Sequence, residues 1–386
     1  MTIKNHNHTF EETHSRATWR EWLGLVALML PIFMISTDMG GLYLAMPSIT
    51  ADLTPSSTQM LWMLHIGEIL TVGFLITMGR LADRIGRRRL LVIGVAVYGA
   101  ASFIAAFSST AWMLIVMRAL LGVAAATITP STMSLLRNMF PDPRQFSVAI
   151  AVSLSAFSAG GALGPSVGGF LVDHFWWGAA FLINVPVALV FLLGAFILPT
   201  YRDSKARSLD FVSVFLSLLA LITTIFGLQE IAENGFHILY VSAVAIGLIF
   251  GIVFVRRQLH LKEPLLDLRM FRAPAFSVSL LALLLILLVN GGTYMLFTQH
   301  LQIVLGLSPT HAGLMLLVPT GLSVVGTLLA PTLTRWMRPA YAMAVAHCCD
   351  RRGDISYSIR PGSKYRNTHY RSFNRDVWYR SNHVDW

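Results

Sequence analysis

Charged residues are scarce in this chain of 386 residues: they make up 12% of it, whereas about a quarter of the residues in an average soluble protein are charged. Hydrophobic residues reach 55%. Because so few charges cannot cover the surface of a soluble fold, the composition argues against a soluble enzyme. It indicates a polytopic membrane protein, whose partner is the lipid bilayer.

Several motifs are also absent. The chain contains no Gly-x-x-x-x-Gly-Lys-Ser/Thr loop, so we do not expect it to hydrolyse ATP, and any transport would use an ion gradient. Its two cysteines, Cys348 and Cys349, are neighbours, which disfavours a tetrahedral metal site. We find no Ser/His/Asp grouping at a shared membrane depth and therefore expect neither an enzyme nor a bound cofactor. The first 20 residues are polar and lack the apolar core of a signal peptide, which predicts a cytoplasmic tail.

Basic residues are present in excess, giving a net charge of +10, but their placement argues against nucleic-acid binding. Of the 29 Lys and Arg residues, 20 lie in six segments next to apolar stretches, and the intervening connections contain none. Positive residues concentrate on the cytoplasmic side of membrane proteins. The pattern therefore places the N-terminus and the connection at 80–89 in the cytoplasm.

Ten segments are apolar over the roughly 20 residues that a helix needs to cross the hydrocarbon core. We therefore predict an all-α protein with ten transmembrane helices. The predicted spans are 23–47, 58–80, 90–110, 112–136, 146–171, 177–199, 211–229, 238–255, 274–298 and 310–334.

Charged residues are concentrated at 79–90, where the second predicted span ends and the third begins, and they predict a short loop there. The pattern Gly-x-Leu-Ala-Asp-Arg-x-Gly-Arg-Arg-x-Leu resembles the loop signature of the major facilitator superfamily between its second and third helices. The resemblance implies a conformational latch, whereas an ordinary basic loop would need the arginines alone. The latch residues would be Gly79, Asp83, Arg84, Gly86, Arg87 and Arg88.

Further motifs resemble the branch of fourteen-helix drug:proton antiporters. The stretch from Asp38 to Pro47 resembles its first-helix signature, and Arg118 matches an arginine inside its fourth helix. The resemblance is greatest to bacterial efflux proteins for methyl viologen and quaternary ammonium biocides, which act in the inner membrane. The fifth-helix antiporter motif is matched by Gly160, Gly164, Pro165, Gly168 and Gly169.

The resemblance implies a major facilitator fold whose second half is incomplete here. The implied domains are a cytoplasmic tail at 1–22, a six-helix bundle at 23–199, two linker helices at 200–257 and an incomplete C-terminal bundle of two helices at 258–346. Residues 347–386 contain no run able to span a bilayer. We interpret them as a polar tail that is disordered or translated out of frame; the alternative is a cytosolic tail that binds anionic lipid through its arginines.

Ionisable groups inside predicted spans are candidates for coupling protons to substrate, because burying them is costly. Asp38 is the first candidate and Glu68 the second, with Arg118 biasing their protonation. Glu68 also lies one turn from His65, so the two could simply pair. The predicted function is exchange of protons for a cationic small molecule. Two alternatives remain, an inactive fragment of such a transporter and an uptake symporter, and the sequence does not give an oligomeric state.

Overall fold

The computed structural model describes residues 17–200, 210–261, 264–266 and 268–336. The chain divides into two compact units, residues 1–324 and 325–386. All described residues belong to the first unit except 325–336, the end of the last helix. Most of the predicted N-terminal tail and all of the tail at 347–386 lie outside the described residues.

The described part of the chain contains helices and no strands. Two short 3-10 segments and one π-helical segment, His300–Val304, connect or extend the α-helices. The α-helices are α1 (Trp19–Leu53), α2 (Ser57–Ile85), α3 (Arg87–Ala106), α4 (Ala111–Met139), α5 (Pro143–His174), α6 (Ala179–Leu182), α7 (Asn184–Gly194), α8 (Phe211–Asn234), α9 (Ile238–His260), α10 (Pro274–Gln299) and α11 (Pro309–Trp336).

Local sequence explains where the long helices begin. Ser56 precedes α2 and accepts a hydrogen bond from the backbone N–H of Gln59, whose side chain in turn accepts from the Ser56 backbone, forming a capping box. Asp142 caps α5 in a similar way, and Pro143 then occupies the first helical position, where its missing N–H costs no hydrogen bond.

The ten predicted spans agree in order with the helices. Within the described residues, nine helical segments are long and apolar enough to cross a membrane. The tenth prediction, 310–334, falls on α11, whose side chains beyond Val325 lie outside the described residues. The sixth prediction, 177–199, is broken into α6, α7 and a 3-10 turn, Ala195–Ile197.

The predicted loop at 79–90 is wrong in extent. Helix α2 continues to Ile85 and α3 starts at Arg87, so the connection is Gly86 alone. Gly86 has φ of 106°, a conformation that a residue without Cβ adopts without strain. Arginine is a good helix former, so the charges did not end either helix, and Gly79, Asp83 and Arg84 belong to α2.

Helices pack in pairs: α1 lies against α5, α2 against α4, α3 against α4 and α7, and α8 against both α9 and α2. At the α2–α4 crossing the backbones touch. A Cβ on Gly122 would lie 2.1 Å from the Gly67 carbonyl oxygen, so only glycine fits. The hydroxyl of Thr71 reinforces the crossing, because it lies 2.8 Å from the Gly67 carbonyl and 3.0 Å from that of Gly122. Small residues of this kind allow membrane helices to approach closely.

Helix α11 contacts the first helices near its start. Leu44 of α1 is buried in a small apolar cluster with Leu301, Ala312 and Leu316. The hydroxyl of Ser166 in α5 donates to the carbonyl of Gly313 at 2.9 Å.

The α2–α4 crossing yields a stability prediction. Replacing Gly122→Ala places a methyl group against the Gly67 backbone, and we expect overpacking to reduce the free energy of unfolding by about 1–3 kcal/mol. Thermal unfolding of the purified chain in detergent measures the change as a drop in melting temperature. Gly194→Ala is the matched control: no atom lies within 4 Å of its added Cβ, so its melting temperature should stay equal or rise. Equal melting temperatures for the two variants would contradict the crossing.

Candidate functional site

Asp38 of α1 and Arg118 of α4 form a buried ion pair. Arg118 Nη1 lies 2.5 Å from Asp38 Oδ2, and the side chains are only 4% and 6% exposed. Arg118 Nε also donates to the carbonyl of Met63 in α2 at 3.2 Å. Because a single buried charge is very costly, each member of the pair stabilises the charge of the other.

Three polar residues extend this ion pair into a network. Asn184, at the start of α7, donates from Nδ2 to Asp38 Oδ1 and to the Ser102 hydroxyl, both at 3.2 Å. Tyr98 of α3 is buried beside the Asp38 carboxylate. The aspartate thus connects helices α1, α3, α4 and α7, and we name these five residues, Asp38, Tyr98, Ser102, Arg118 and Asn184, the polar core.

Close helix crossings hold the polar core in place. On one side the Gly67–Gly122 contact brings α2 against α4 next to Arg118, whose own carbonyl lies 3.1 Å from a Cβ built on Gly67. On the other side α1 meets α5 at the turn that carries Asp38: a Cβ on Gly164 would lie 2.7 Å from the carbonyl of Thr37, and one on Gly168 would lie 2.7 Å from Gly41 Cα.

The five antiporter-motif residues of α5 contact two helices, α1 and α11. Gly160 joins Gly164 and Gly168 against α1, since its Cβ would lie 2.7 Å from the Phe33 carbonyl. Gly169 faces α11 instead, where a Cβ would lie 2.2 Å from the carbonyl of Pro309. Pro165 touches both helices: its ring lies against Gly40 of α1 and its carbonyl against Gly313 of α11.

Glu68, the second predicted acid, lies outside the polar core. Its side chain is 43% exposed, and His65 Nδ1 is 3.9 Å from Glu68 Oε2, which is too far for a hydrogen bond. Glu68 is nevertheless close enough to Arg118 and to Tyr43 to interact with them electrostatically. The ring of Tyr43 meets that of Tyr294 in α10 edge to face, with centroids 5.8 Å apart. A carboxylate and two tyrosines thus lie near the point where α1 meets α10.

The predicted latch residues surround the turn at Gly86. Asp83 accepts two hydrogen bonds from Arg87, from Nε at 3.1 Å and from Nη2 at 2.9 Å, and Arg87 also donates to the carbonyl of Ser134 in α4 at 3.3 Å. Within the described ranges, Arg84 and Arg88 form no ion pair. A Cβ on Gly79 would make only an ordinary contact, 3.7 Å from Pro130, so close packing does not explain this glycine.

A neighbouring arginine links this region to the chain after α9. Arg80 Nη2, which is buried, donates to the carbonyl of Pro264 at 2.6 Å.

Sequence reasoning also missed the roles of Tyr98, Ser102 and Asn184 in the polar core. The available signal was a polar residue inside an apolar span, the criterion that selected Asp38. Serine and tyrosine occur too often in membrane helices for that signal to be specific. Among the residues that the structure describes, no group of three His, Cys, Asp or Glu is arranged to hold a metal ion.

Two relatives of this chain are named as drug efflux or resistance proteins. The chain is 41% identical over 315 residues to the multidrug efflux pump LfrA of Mycolicibacterium smegmatis, an alignment that covers 81% of this chain and 62% of that protein. It is 33% identical over 302 residues to the methyl viologen resistance protein SmvA of Salmonella typhimurium, covering 78% and 61%. The chain thus spans about three fifths of the length of these relatives.

Solved structures share the fold. A crystal structure of a variant of the peptide transporter POT in complex with sulfate superimposes with a TM-score of 0.58 at 17% identity, covering 81% of this chain and 68% of that one. The D-xylose–proton symporter superimposes with a TM-score of 0.52 at 15% identity, covering 82% and 69%. The family model for the Major Facilitator Superfamily matches residues 28–349. With its series of membrane-spanning helices, this chain therefore belongs to the Major Facilitator Superfamily of integral membrane transporters for small molecules.

Proposed function

We propose that this chain carries out, or forms part of a protein that carries out, proton-coupled export of cationic drugs and biocides such as methyl viologen and quaternary ammonium compounds. The membrane would be the bacterial inner membrane, with the N-terminus in the cytoplasm. The observation that carries the proposal is the buried Asp38–Arg118 pair with an accessible carboxylate, Glu68, beside it. The names of the relatives LfrA and SmvA support the substrate class.

Asp38 is suited to receive a proton because its ionised form depends on Arg118. Protonating Asp38 would cancel its attraction for Arg118 and leave the arginine charge buried with a backbone carbonyl as its remaining neutral acceptor. Arg118 would then be drawn towards Glu68, the next carboxylate in its electrostatic environment. Protonation of Asp38 would thereby replace the attraction of Arg118 in α4 for Asp38 in α1 by its attraction for Glu68 in α2.

Glu68 is suited to attract the organic cation. Its carboxylate is accessible, and the faces of Tyr43 and Tyr294 can stabilise a quaternary nitrogen through cation–π contacts worth about 0.5–2 kcal/mol. A cation beside Glu68 would compete with Arg118 for that carboxylate. Arg118 would return to an ionised Asp38, so that cation binding and proton release are coupled.

The architecture supports the domain roles that the sequence predicted. Residues 23–199 would form the N-terminal bundle that contains the polar core, and α8 and α9 would be the two linker helices, since they pack mainly on each other and on α2. Residues 258–346 would begin the second bundle. The latch would act through Asp83 and Arg87, with Arg80 connecting it to the backbone after α9.

Expression in a bacterium that lacks its own efflux pumps tests the proposal directly. We expect cells carrying the chain to tolerate more methyl viologen and more of a quaternary ammonium biocide than cells with the empty vector, and to accumulate less of each. Collapse of the proton gradient with an uncoupler should abolish the difference. Increased accumulation would indicate uptake, and unchanged tolerance with the chain present in the membrane would show that it does not export these compounds alone.

Asp38→Asn should abolish proton-driven export and also destabilise the fold, since it leaves Arg118 buried without a counter-charge, at a cost of about 3–5 kcal/mol. The double variant Asp38→Asn with Arg118→Gln removes both charges and separates the effects: it should regain much of the melting temperature without regaining export. Asp52→Asn is the control in the same helix, because Asp52 is exposed and the new amide oxygen can still accept from Trp177. Wild-type export by Asp38→Asn would rule out its role in coupling.

Glu68→Gln should weaken methyl viologen binding by about tenfold, or roughly 1.4 kcal/mol, while leaving the melting temperature unchanged, because the side chain is accessible and outside the polar core. Glu21→Gln serves as the control, since glutamine can preserve the capping box of α1. Equal affinities for Glu68→Gln and Glu21→Gln would exclude Glu68 from the cation site.

A further inference from the structure

A groove lies between the first turns of α8 and the last turns of α9, away from the polar core. It has a volume of about 670 Å³. Its wall combines apolar side chains with a cluster of basic ones at the end of the α8–α9 hairpin. The lining residues are Val212, Leu216, Val253, Arg256, Arg257, His260 and Leu261.

The apolar part of this groove faces outward. Val212 is 54% exposed and Val253 is 44% exposed, although both lie inside helices apolar enough to cross a membrane. Such side chains are in contact with lipid when the helices span a bilayer. The groove is thus an indentation in the lipid-facing surface, open to an acyl chain.

The two arginines at the rim of the groove differ in their partners. Arg257 is paired with Asp210, which lies just before α8, with Nη2 3.1 Å from Oδ1. Burial raises the pKa of Asp210, but hydrogen bonds from Ser213 and Arg257 outweigh burial and hold the pKa below its usual value, so Asp210 is ionised at neutral pH. The guanidinium of Arg256, by contrast, is exposed and has no carboxylate partner among the described residues.

Hydrogen bonds order two residues beside the groove, Gln258 and His260. Gln258 is 2% exposed; its Nε2 donates to the Ser213 hydroxyl at 2.7 Å, and its Oε1 accepts from the backbone N–H of Leu265 at 2.6 Å. His260 Nδ1 donates to the carbonyl of Arg256 at 2.7 Å, which fixes the imidazole against the last turn of α9. These bonds order Gln258 and the His260 ring whether or not a ligand is bound.

We propose that this groove binds an anionic phospholipid from the membrane leaflet on its own side. The headgroup phosphate contacts Arg256, with Arg257 and His260 flanking it, and one acyl chain lies along Val212, Leu216 and Val253. Among the described residues Arg256 is the guanidinium at this rim without a carboxylate partner, and its single charge complements one phosphate charge, so the site fits a monoanionic headgroup such as phosphatidylglycerol. Basic pockets between membrane helices bind anionic headgroups for this electrostatic reason, and the apolar lining selects a lipid over free phosphate.

Lipid binding to the purified full chain in detergent tests this site by native mass spectrometry. We expect phosphatidylglycerol to bind more tightly than phosphatidylcholine with the same acyl chains. Arg256→Gln should weaken phosphatidylglycerol binding by about fivefold and leave phosphatidylcholine binding unchanged, as loss of one basic residue near a headgroup predicts. Leu216→Trp, which fills the apolar part of the groove, should weaken binding of both lipids.

The matched control is Arg20→Gln, which removes the same charge from an exposed position at the start of α1. An equal loss of phosphatidylglycerol binding in Arg20→Gln and Arg256→Gln would mean that net charge alone attracts the lipid, and would overturn the site. The proposal also fails if Arg256→Gln binds phosphatidylglycerol like the wild type, or if inorganic phosphate displaces the lipid at equimolar concentration. Melting temperatures of all variants show whether each is folded.

Discussion

The cost of holding charge away from water governs the centre of this molecule. Asp38 and Arg118 are almost wholly buried, and each would be a costly isolated charge without the other. A buried charged group is also destabilised when one of its hydrogen bonds is missing. Asn184 therefore donates to the remaining oxygen of Asp38, and the Met63 carbonyl accepts from Arg118. The positions of α1, α2, α4 and α7 relative to one another follow from this requirement.

Close backbone packing makes that arrangement possible. Glycines at the α2–α4 and α1–α5 crossings remove the side chains that would separate the helices, and both crossings lie within a turn or so of the ion pair. Where helix backbones are in direct contact, no flexible side chains lie between them that could shift to accommodate a change at the Asp38 carboxylate. A change in the charge of Asp38 would therefore act directly on how α1 and α4 pack against their neighbours, as the proposed proton coupling requires.

The fold of this chain does not specify a substrate. The chain shares its fold with a peptide transporter and a D-xylose–proton symporter at 15–17% identity, although their names indicate unrelated substrates. The fold alone therefore says little about cargo. At the cation site proposed above, the accessible carboxylate of Glu68 lies near the ring pair of Tyr43 and Tyr294.

The sequence by itself determined the helices, their order and the candidate acids, because membrane burial leaves a direct trace in composition: long apolar runs, and rare charges within them such as Asp38 and Arg118. Only the tertiary structure decided which of those groups meet. Asp38 and Arg118 are 80 residues apart, and Asn184 is a further 66 along, so no local pattern could join them. The structure likewise reduced the charged loop to Gly86, gave Asp83 its partner in Arg87 and separated Glu68 from the polar core. Those outcomes depend on how helices cross, and crossing is set by contacts between distant backbones that periodicity along one helix does not encode.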